Sequence, residues 1–176
     1  MKKALYLILF SAFIFSCNTA KKATSSQGNY VVSNDGGKIL KGYINRSLIE
    51  NDPEFTWFKQ NMQYGQADAS AVTAFHDNAS KFKMVVFGGT WCHDTQNLLP
   101  VFYRLVDKSG YPEKNITLIG VDRAKTTIED LHKKYNITRV PTFIVMHDGK
   151  EVGRVVEYGT TGSIEKELAA LVNQIK

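Results

Sequence analysis

Apolar residues along the second half of the chain follow two different periodicities. Short unbroken apolar runs predict strands that are covered on both faces of a sheet. The last two of these runs are separated by Asp148-Gly149, a pair that strongly favours a hairpin. The predicted strands are residues 84–87, 116–121, 142–146 and 151–156.

Between these runs, apolar residues repeat at the spacing of an amphipathic helix. Residues 126–135 are predicted to be helical, because Thr126 and Glu129 have the spacing of a capping box and Asn136 supplies a stop. The other predicted helical segments are residues 43–62, broken at Pro53; residues 68–82, capped by Asp68 or Ser70; a stretch behind Cys92 that includes residues 98–106; and a last helix capped by Ser163.

From residue 84 onward the predicted order is β-α-β-α-β-β-α, which places a mixed central β-sheet between helices. The fold class is therefore α/β. A length of 176 residues is sufficient for one domain and short for two. With 43 % hydrophobic and 22 % charged residues, the composition is that of an ordinary globular protein.

The N-terminus has the pattern of an export signal, with Lys2 and Lys3 followed by a short apolar core. The core ends at Cys17 in Ile-Phe-Ser-Cys, which resembles the bacterial lipoprotein signal. Residues 1–16 are accordingly predicted to be a signal peptide, and Cys17 to be lipidated and anchored in a membrane. An uncleaved anchor and a plain secretory signal are the alternatives, and each of them also takes the protein out of the cytoplasm.

The polar segment that follows predicts a flexible tether over residues 17–37, with the folded domain spanning residues 38–176. The folded part is expected to begin near Tyr30 or Lys38. As a lipoprotein, the chain would lie on the periplasmic or cell-surface side of a membrane.

The formal charge of +5 gives little support for a nucleic-acid partner. Lys2 and Lys3 belong to the predicted signal, and without them 20 basic residues stand against 17 acidic ones, or +3. No basic run with interleaved aromatic residues occurs, so nucleic-acid binding is not expected.

The chain has two cysteines, and a lipidated Cys17 would leave Cys92 without a disulfide partner. Cys92 lies in Gly-Gly-Thr-Trp-Cys-His-Asp-Thr, between a predicted strand and a predicted helix. The free N–H groups and the dipole at the start of a helix stabilise a thiolate. Protonated His93 would add to this effect and Asp94 would oppose it. Thr95 lies on the same helical face, where its hydroxyl is expected to donate a hydrogen bond to the sulfur.

Several motifs together resemble the thioredoxin family over residues 83–176. They are Trp91-Cys92-x-x-Thr95, Pro100 in the next helix, Val140-Pro141-Thr142, the Asp148-Gly149 hairpin and Gly159 before the last helix. The resemblance implies the three-layer thioredoxin fold, a cis Pro141 against the sulfur, and substrate contacts from Trp91, His93, Asp94, Val140, Pro141 and Thr142.

Two positions depart from the family pattern. Thr95 replaces the second cysteine, and Val86 occupies the place where thioredoxins have a buried aspartate that assists that cysteine. Without a second thiol, a mixed disulfide on Cys92 must be cleaved by an external thiol or by a cysteine of the substrate. Apart from an external thiol as co-reductant, no cofactor is expected.

Three functions are compatible with this pattern. The first is a monothiol thiol-disulfide oxidoreductase, tethered outside the cytoplasm and acting on protein or small-molecule thiols and disulfides. The second is a redox-inactive module that binds a peptide or protein near Trp91, Val140 and Pro141. The third, a metal site, is not expected, because adjacent Cys92-His93 is not a zinc pattern and the other histidines are scattered.

Overall fold

A computed structural model describes residues 29–176 of the protein. The predicted signal peptide (residues 1–16) and the lipidated Cys17 lie outside the described residues. The strands are β1 (Tyr30–Asn34), β2 (Lys38–Ile44), β3 (Lys83–Gly88), β4 (Ile116–Gly120), β5 (Thr142–His147) and β6 (Lys150–Val156). The α-helices are α1 (Arg46–Glu50), α2 (Thr56–Met62), α3 (Ala69–Asp77), α4 (His93–Ser109), α5 (Leu131–Lys134) and α6 (Ile164–Val172).

The strands form one mixed sheet in the order β1-β2-β4-β3-β5-β6. The β3 and β4 strands are parallel, and all other neighbours are antiparallel. From β3 onward the element order is the predicted one, so the predicted α/β fold with a mixed sheet between helices is confirmed. No helix within residues 29–176 is long and apolar enough to cross a membrane.

The β1 and β2 strands were not predicted. The β1 strand pairs along its length with β2, from Tyr30 opposite Gly42 to Asn34 opposite Lys38. Within residues 29–176 the first strand begins at Tyr30, the earlier of the two expected starts. Residues 30–37 form a strand and a turn of a β-hairpin, where the tether had been expected over residues 17–37. The prediction failed here because β1 is an edge strand whose valines are exposed, so its sequence lacks the alternation of a half-buried strand.

The helix predicted over residues 126–135 is present only in its last part. A 3₁₀ turn at Ile128–Asp130 leads into the four-residue α5 instead, and Glu129 and Asp130 have φ values of 54° and 51°. Thr126 does not form the capping box, because its N–H and hydroxyl both donate to the Asp122 carboxylate, at 2.8 and 2.6 Å. The loop is closed by this side-chain contact, a competitor that the helical pattern did not reveal.

The first helical region is also shorter than predicted, because Tyr43 and Ile44 belong to β2. The α1 helix begins after Asn45, whose side chain accepts a hydrogen bond from the Leu48 N–H at 3.0 Å. Further along, Asp68 caps α3 as expected.

Two groups of buried side chains lie on opposite faces of the sheet. The first, called the large core, lies under α1, α2, α3, α4 and α6 and includes Phe58, Phe75 and Phe102. The second, called the small core, lies under α5 and the neighbouring loops and includes Val121, Leu131 and Ile137. Helices, sheet and the covering of the small core make the three expected layers.

Candidate functional site

Cys92 lies at the junction between the end of β3 and the start of α4. Cys92 is the N-cap residue of α4 and has extended backbone angles. Its side chain forms no capping hydrogen bond with the helix. The side chain is half-buried, and it is the free cysteine of the described residues. A partly exposed sulfur at the start of a 17-residue helix is well placed for nucleophilic attack.

The sulfur of Cys92 contacts a segment that lies 48 residues further along the chain. Its thiol donates a hydrogen bond to the Val140 carbonyl, with 3.3 Å between sulfur and oxygen. The Val140–Pro141 peptide bond is cis. The tertiary structure therefore brings the cysteine motif and the Val-Pro-Thr motif together at one site.

Thr95 does not contact the sulfur in the way that the sequence suggested. Its side chain is only 2 % exposed, and its hydroxyl accepts a hydrogen bond from the Gly89 N–H at 3.2 Å. No hydrogen bond between Thr95 and Cys92 occurs within residues 29–176. Because Thr95 bonds back to the preceding loop, its visible role is to hold the Gly88–Gly89 turn in place.

Trp91 forms a wall beside the thiol. Its indole N–H donates to the Val121 carbonyl at 3.0 Å, and the ring packs against the small core while remaining partly exposed. A Cβ atom at Gly89 would lie 2.7 Å from the indole ring, so only glycine permits this approach. The guanidinium carbon of Arg123 lies 5.4 Å from the ring centroid, a cation–π contact on the ring face.

The hairpin of β1 and β2 contacts this site at two points that the sequence did not reveal. Arg123 donates from Nε to the Asp35 carbonyl at 2.9 Å and from Nη2 to the Gly36 carbonyl at 3.1 Å. Thr90 donates from its hydroxyl to the Lys38 carbonyl at 2.9 Å. These partners are 52 to 88 residues apart, and no local motif predicts such contacts.

The six residues expected to contact substrate are not equally accessible. His93 is exposed and Asp94 is half-buried at the start of α4, beside the partly exposed Trp91. The side chains of Val140, Pro141 and Thr142 are buried, and the Thr142 hydroxyl donates to the Arg139 carbonyl at 2.7 Å. These last three residues can meet a substrate only through their backbone, and the Val140 N–H has no hydrogen-bond partner within residues 29–176.

Asp122 stabilises the loop after β4, which contains Arg123 and contacts Trp91. Its carboxylate accepts from the Lys41 ammonium group at 2.6 Å and from the hydroxyl and N–H of Thr126. Burial acts to raise the pKa of Asp122, but the hydrogen bonds from Lys41 and Thr126 outweigh it, so the pKa lies below its ordinary value. In the part of the chain that the structure describes, no group of three or more metal-ligating side chains is suitably placed for a metal ion.

Fold and site together define an α/β protein in which the thiol found within residues 29–176 is accessible, lies at a helix start and faces a cis-proline step. Comparison with known proteins identifies the family, since the family model described as Thioredoxin matches residues 49–170. The chain therefore belongs to the thioredoxin family.

Individual relatives agree with this assignment. Thioredoxin H2 of Arabidopsis thaliana is 26 % identical over 98 residues, which are 56 % of this chain and 65 % of the relative. Thioredoxin-like protein CXXS2 of the same plant is 25 % identical over 93 residues, 53 % of this chain and 56 % of the relative. The chain thus spans less than two thirds of the length of these curated relatives.

A solved structure has a similar fold. The crystal structure of a Pseudomonas aeruginosa protein of unknown function aligns with a TM-score of 0.52 at 16 % identity. The alignment covers 74 % of this chain and 92 % of that one.

Proposed function

We propose that the protein is a monothiol thiol-disulfide oxidoreductase that acts outside the cytoplasm from a lipid anchor on Cys17. The observation that supports the chemistry best is the environment of Cys92. Its half-buried sulfur lies at a helix start and beside the cis-proline step, and Thr95 stands where a second thiol would be needed. The partners are protein or small-molecule thiols and disulfides, and an external thiol is the co-reductant.

The reaction has two exchange steps. The Cys92 thiolate attacks one sulfur of a substrate disulfide, forming a mixed disulfide and releasing the other substrate sulfur as a thiolate. The thiolate of an external thiol then attacks the mixed disulfide, which restores Cys92 and forms a new disulfide with the substrate fragment. When the fragment left on Cys92 is glutathione, one external glutathione removes it as glutathione disulfide, and the thiol released in the first step is the reduced product. The net reaction converts one glutathionylated thiol and one glutathione into one free thiol and one glutathione disulfide.

Two further observations favour the single-thiol form. Val86, in the place of the aspartate that would assist a second cysteine, is completely buried among apolar side chains. One relative, Thioredoxin-like protein CXXS2, carries in its printed name a pattern of one cysteine followed at the third position by serine, a hydroxyl residue like Thr95.

The chemistry is tested with a glutathionylated peptide as substrate and glutathione as the external thiol. We expect the wild-type protein to release the peptide thiol and to retain one glutathione on Cys92 until external thiol is added, as followed by intact mass. Cys92→Ser should do neither. Release of peptide without an adduct on Cys92, or release by Cys92→Ser, would contradict the proposal.

Thr95→Cys is the matched gain-of-function variant. A cysteine at this position restores a thiol three residues after Cys92, and we expect it to resolve the mixed disulfide within the molecule. The variant should then reduce a substrate disulfide stoichiometrically without external thiol and finish with an internal disulfide. If it still required external thiol, the identity of residue 95 would not be what restricts the wild-type chemistry.

The anchor is a separate part of the proposal. It is supported by the apolar segment after Lys3 and by Ile-Phe-Ser before Cys17. In a bacterial host, the full chain should incorporate labelled palmitate and partition with membranes, and Cys17→Ser should do neither. Labelling that persists in Cys17→Ser would disprove a lipid at this residue.

A peptide-binding function is the second candidate, and one observation favours it. The Val140 N–H has no partner within residues 29–176 and lies in the segment beside Cys92, where an extended peptide could add to the backbone without using the sulfur. Undiminished capture of a partner by Cys92→Ser would support this candidate, and loss of capture would favour covalent exchange.

A further inference from the structure

Arg104 of α4 is a buried charged side chain that the thiol site does not use. Only 9 % of the residue is exposed. It forms no ion pair with any carboxylate of residues 29–176. Burying a charge is costly unless it is paired or fully hydrogen-bonded. The hydrogen-bond partners of each nitrogen of this guanidinium therefore show whether its charge is compensated inside the protein.

Among the described residues, only one of the three guanidinium nitrogens of Arg104 has acceptors. Nη1 donates to the Asn61 carbonyl at 3.4 Å and to the Tyr64 carbonyl, at the end of α2. Nε is completely buried and has no acceptor. Nη2 likewise has none among the described residues. Nη2 is therefore the nitrogen of Arg104 that can donate a charged hydrogen bond to an oxyanion in the neighbouring groove, whereas the buried Nε is closed to a ligand.

This side chain lines a surface groove of about 910 Å³ between residues 62–73 and α4. Nη2 lies 3.5 Å from the position that a Cβ atom of Gly65 would take, and Gly65 also lines the groove. Four apolar side chains line one part of the groove, and the polar side chains of Gln66 and Thr73 also line it. The apolar ones are Met62, Ala67, Ala69 and Val72. The groove therefore combines a guanidinium with an apolar wall.

The charge balance of the groove is positive. Lys108, one helical turn after Arg104, lines the groove, is exposed and forms no ion pair with residues 29–176. Asp107 also lines it, but both of its carboxylate oxygens accept from Arg46, at 2.6 and 3.0 Å. The buried Glu165 accepts from the Asp68 N–H at 3.3 Å; it is near enough to Arg104 for their charges to attract, but it forms no ion pair with Arg104 and does not line the groove.

We propose that this groove binds a small organic anion, with a carboxylate or phosphate group on Nη2 of Arg104 and near Lys108, and an apolar part against Met62, Ala69 and Val72. The site is distinct from the thiol, because Arg104 follows Cys92 by 12 residues, about 18 Å along a helix at 1.5 Å per residue. It does not depend on the proposed redox function.

The first test uses octanoate and octyl phosphate as probes, with octanol as the uncharged control. We expect a saturable shift of the Arg104 Nε–Hε signal in ¹⁵N NMR with at least one anion, and none with octanol. The stronger of the two anions identifies the head group. The absence of a saturable shift with both anions at millimolar concentration, or an equal response to octanol, would overturn the proposal.

Variants of the groove supply the second test, with binding measured by calorimetry. Arg104→Met should weaken anion binding by about tenfold or more, as expected for the loss of charged hydrogen bonds. Lys108→Met should weaken it less. Lys59→Met, which removes an exposed lysine of α2 outside this groove, is the matched control and should bind as the wild type does.

Ala69→Phe covers the possibility that Arg104→Met fails to fold. Ala69 is an exposed first residue of α3, so the larger side chain should block the groove without disturbing the core. Unchanged binding in Ala69→Phe together with Lys108→Met would place the anion elsewhere and refute the site. All measurements can be repeated on Cys92→Ser, in which the thiol chemistry is absent.

Discussion

The two faces of the sheet are built differently. The large core is covered by regular helices and filled with aromatic side chains, among which Phe82 and Tyr111 stack with centroids 4.6 Å apart. The small core is covered by α5 and by loops rather than by long helices. Four residues of this covering that are not glycine have positive φ values: Lys125, Glu129, Asp130 and Asn136.

The thiol site belongs to the small core. Trp91 and Cys92 both pack against it, and the Val121 and Val140 carbonyls that receive their hydrogen bonds come from residues buried there. Loops place backbone groups and side chains where a helix could not, since a helix uses its own carbonyls internally. We therefore expect the large core to supply most of the stability and the small core to position the reactive groups.

The largest expected effect is that of Cys92→Ser. It should abolish exchange, because an alcohol cannot form a mixed disulfide. The half-buried side chain loses only one weak hydrogen bond, so stability should change by less than about 1 kcal/mol. Urea unfolding and the glutathionylated-peptide assay measure the two quantities. A large loss of stability would mean that the site and the core are not separable.

A matched pair of leucines tests the comparison directly. Leu105→Ala in the large core removes a completely buried side chain and should cost about 4 kcal/mol, near the upper end for such changes. Leu131→Ala in the small core should cost about 2 kcal/mol, because the loop covering can relax around the smaller residue.

In activity the order of the two leucine variants should be reversed, with Leu131→Ala the more impaired. Leu131→Ala should slow the reaction of Cys92 with iodoacetamide or substrate, whereas Leu105→Ala should leave it unchanged under conditions where both remain folded. Equal costs and equal activities would show that the two cores do not have separate roles.

Arg123→Ala should have a smaller effect, confined to the site. The substitution removes the contact with the Trp91 ring and the hydrogen bonds to Asp35 and Gly36. We expect kcat/KM to fall about threefold to tenfold, equivalent to about 1 kcal/mol for an exposed cation–π contact. The change should appear mainly in KM, and Arg123→Lys should restore part of it. A change in kcat alone would argue against a role in positioning Trp91.

The smallest expected effect is a dependence of stability on pH through Asp122. Because its pKa is lower in the folded protein than in the unfolded chain, its contribution is complete above the unfolded value of about 3.9 and is lost as the pH falls through the folded value. Asp122→Asn should therefore destabilise the protein by about 1 kcal/mol at neutral pH and by almost nothing near pH 2. Denaturant unfolding at both pH values measures the difference, and an equal loss at both would exclude the ionised contact with Lys41.

The sequence-based predictions were more successful for the regular elements than for the loops that cover the small core. The strands β3, β4, β5 and β6 and the helix behind Cys92 were predicted, because apolar periodicity reports burial in regular elements. The first part of the helix predicted at residues 126–135 was wrong, since Asp122 binds Thr126 and the backbone turns with positive φ at Glu129. The small core is thus the part where local patterns were least informative and side-chain contacts decided the backbone.

The sequence by itself determined the order of elements from residue 84, the place of Cys92 between a strand and a helix, and the lack of a thiol at Thr95. These are local properties, set by periodicity and by spacing within one helical turn. Only the tertiary structure decided that Val140 meets the sulfur, and that the first hairpin reaches Thr90 and Arg123. Such contacts depend on strand register and packing across the whole domain, which no short segment of sequence contains.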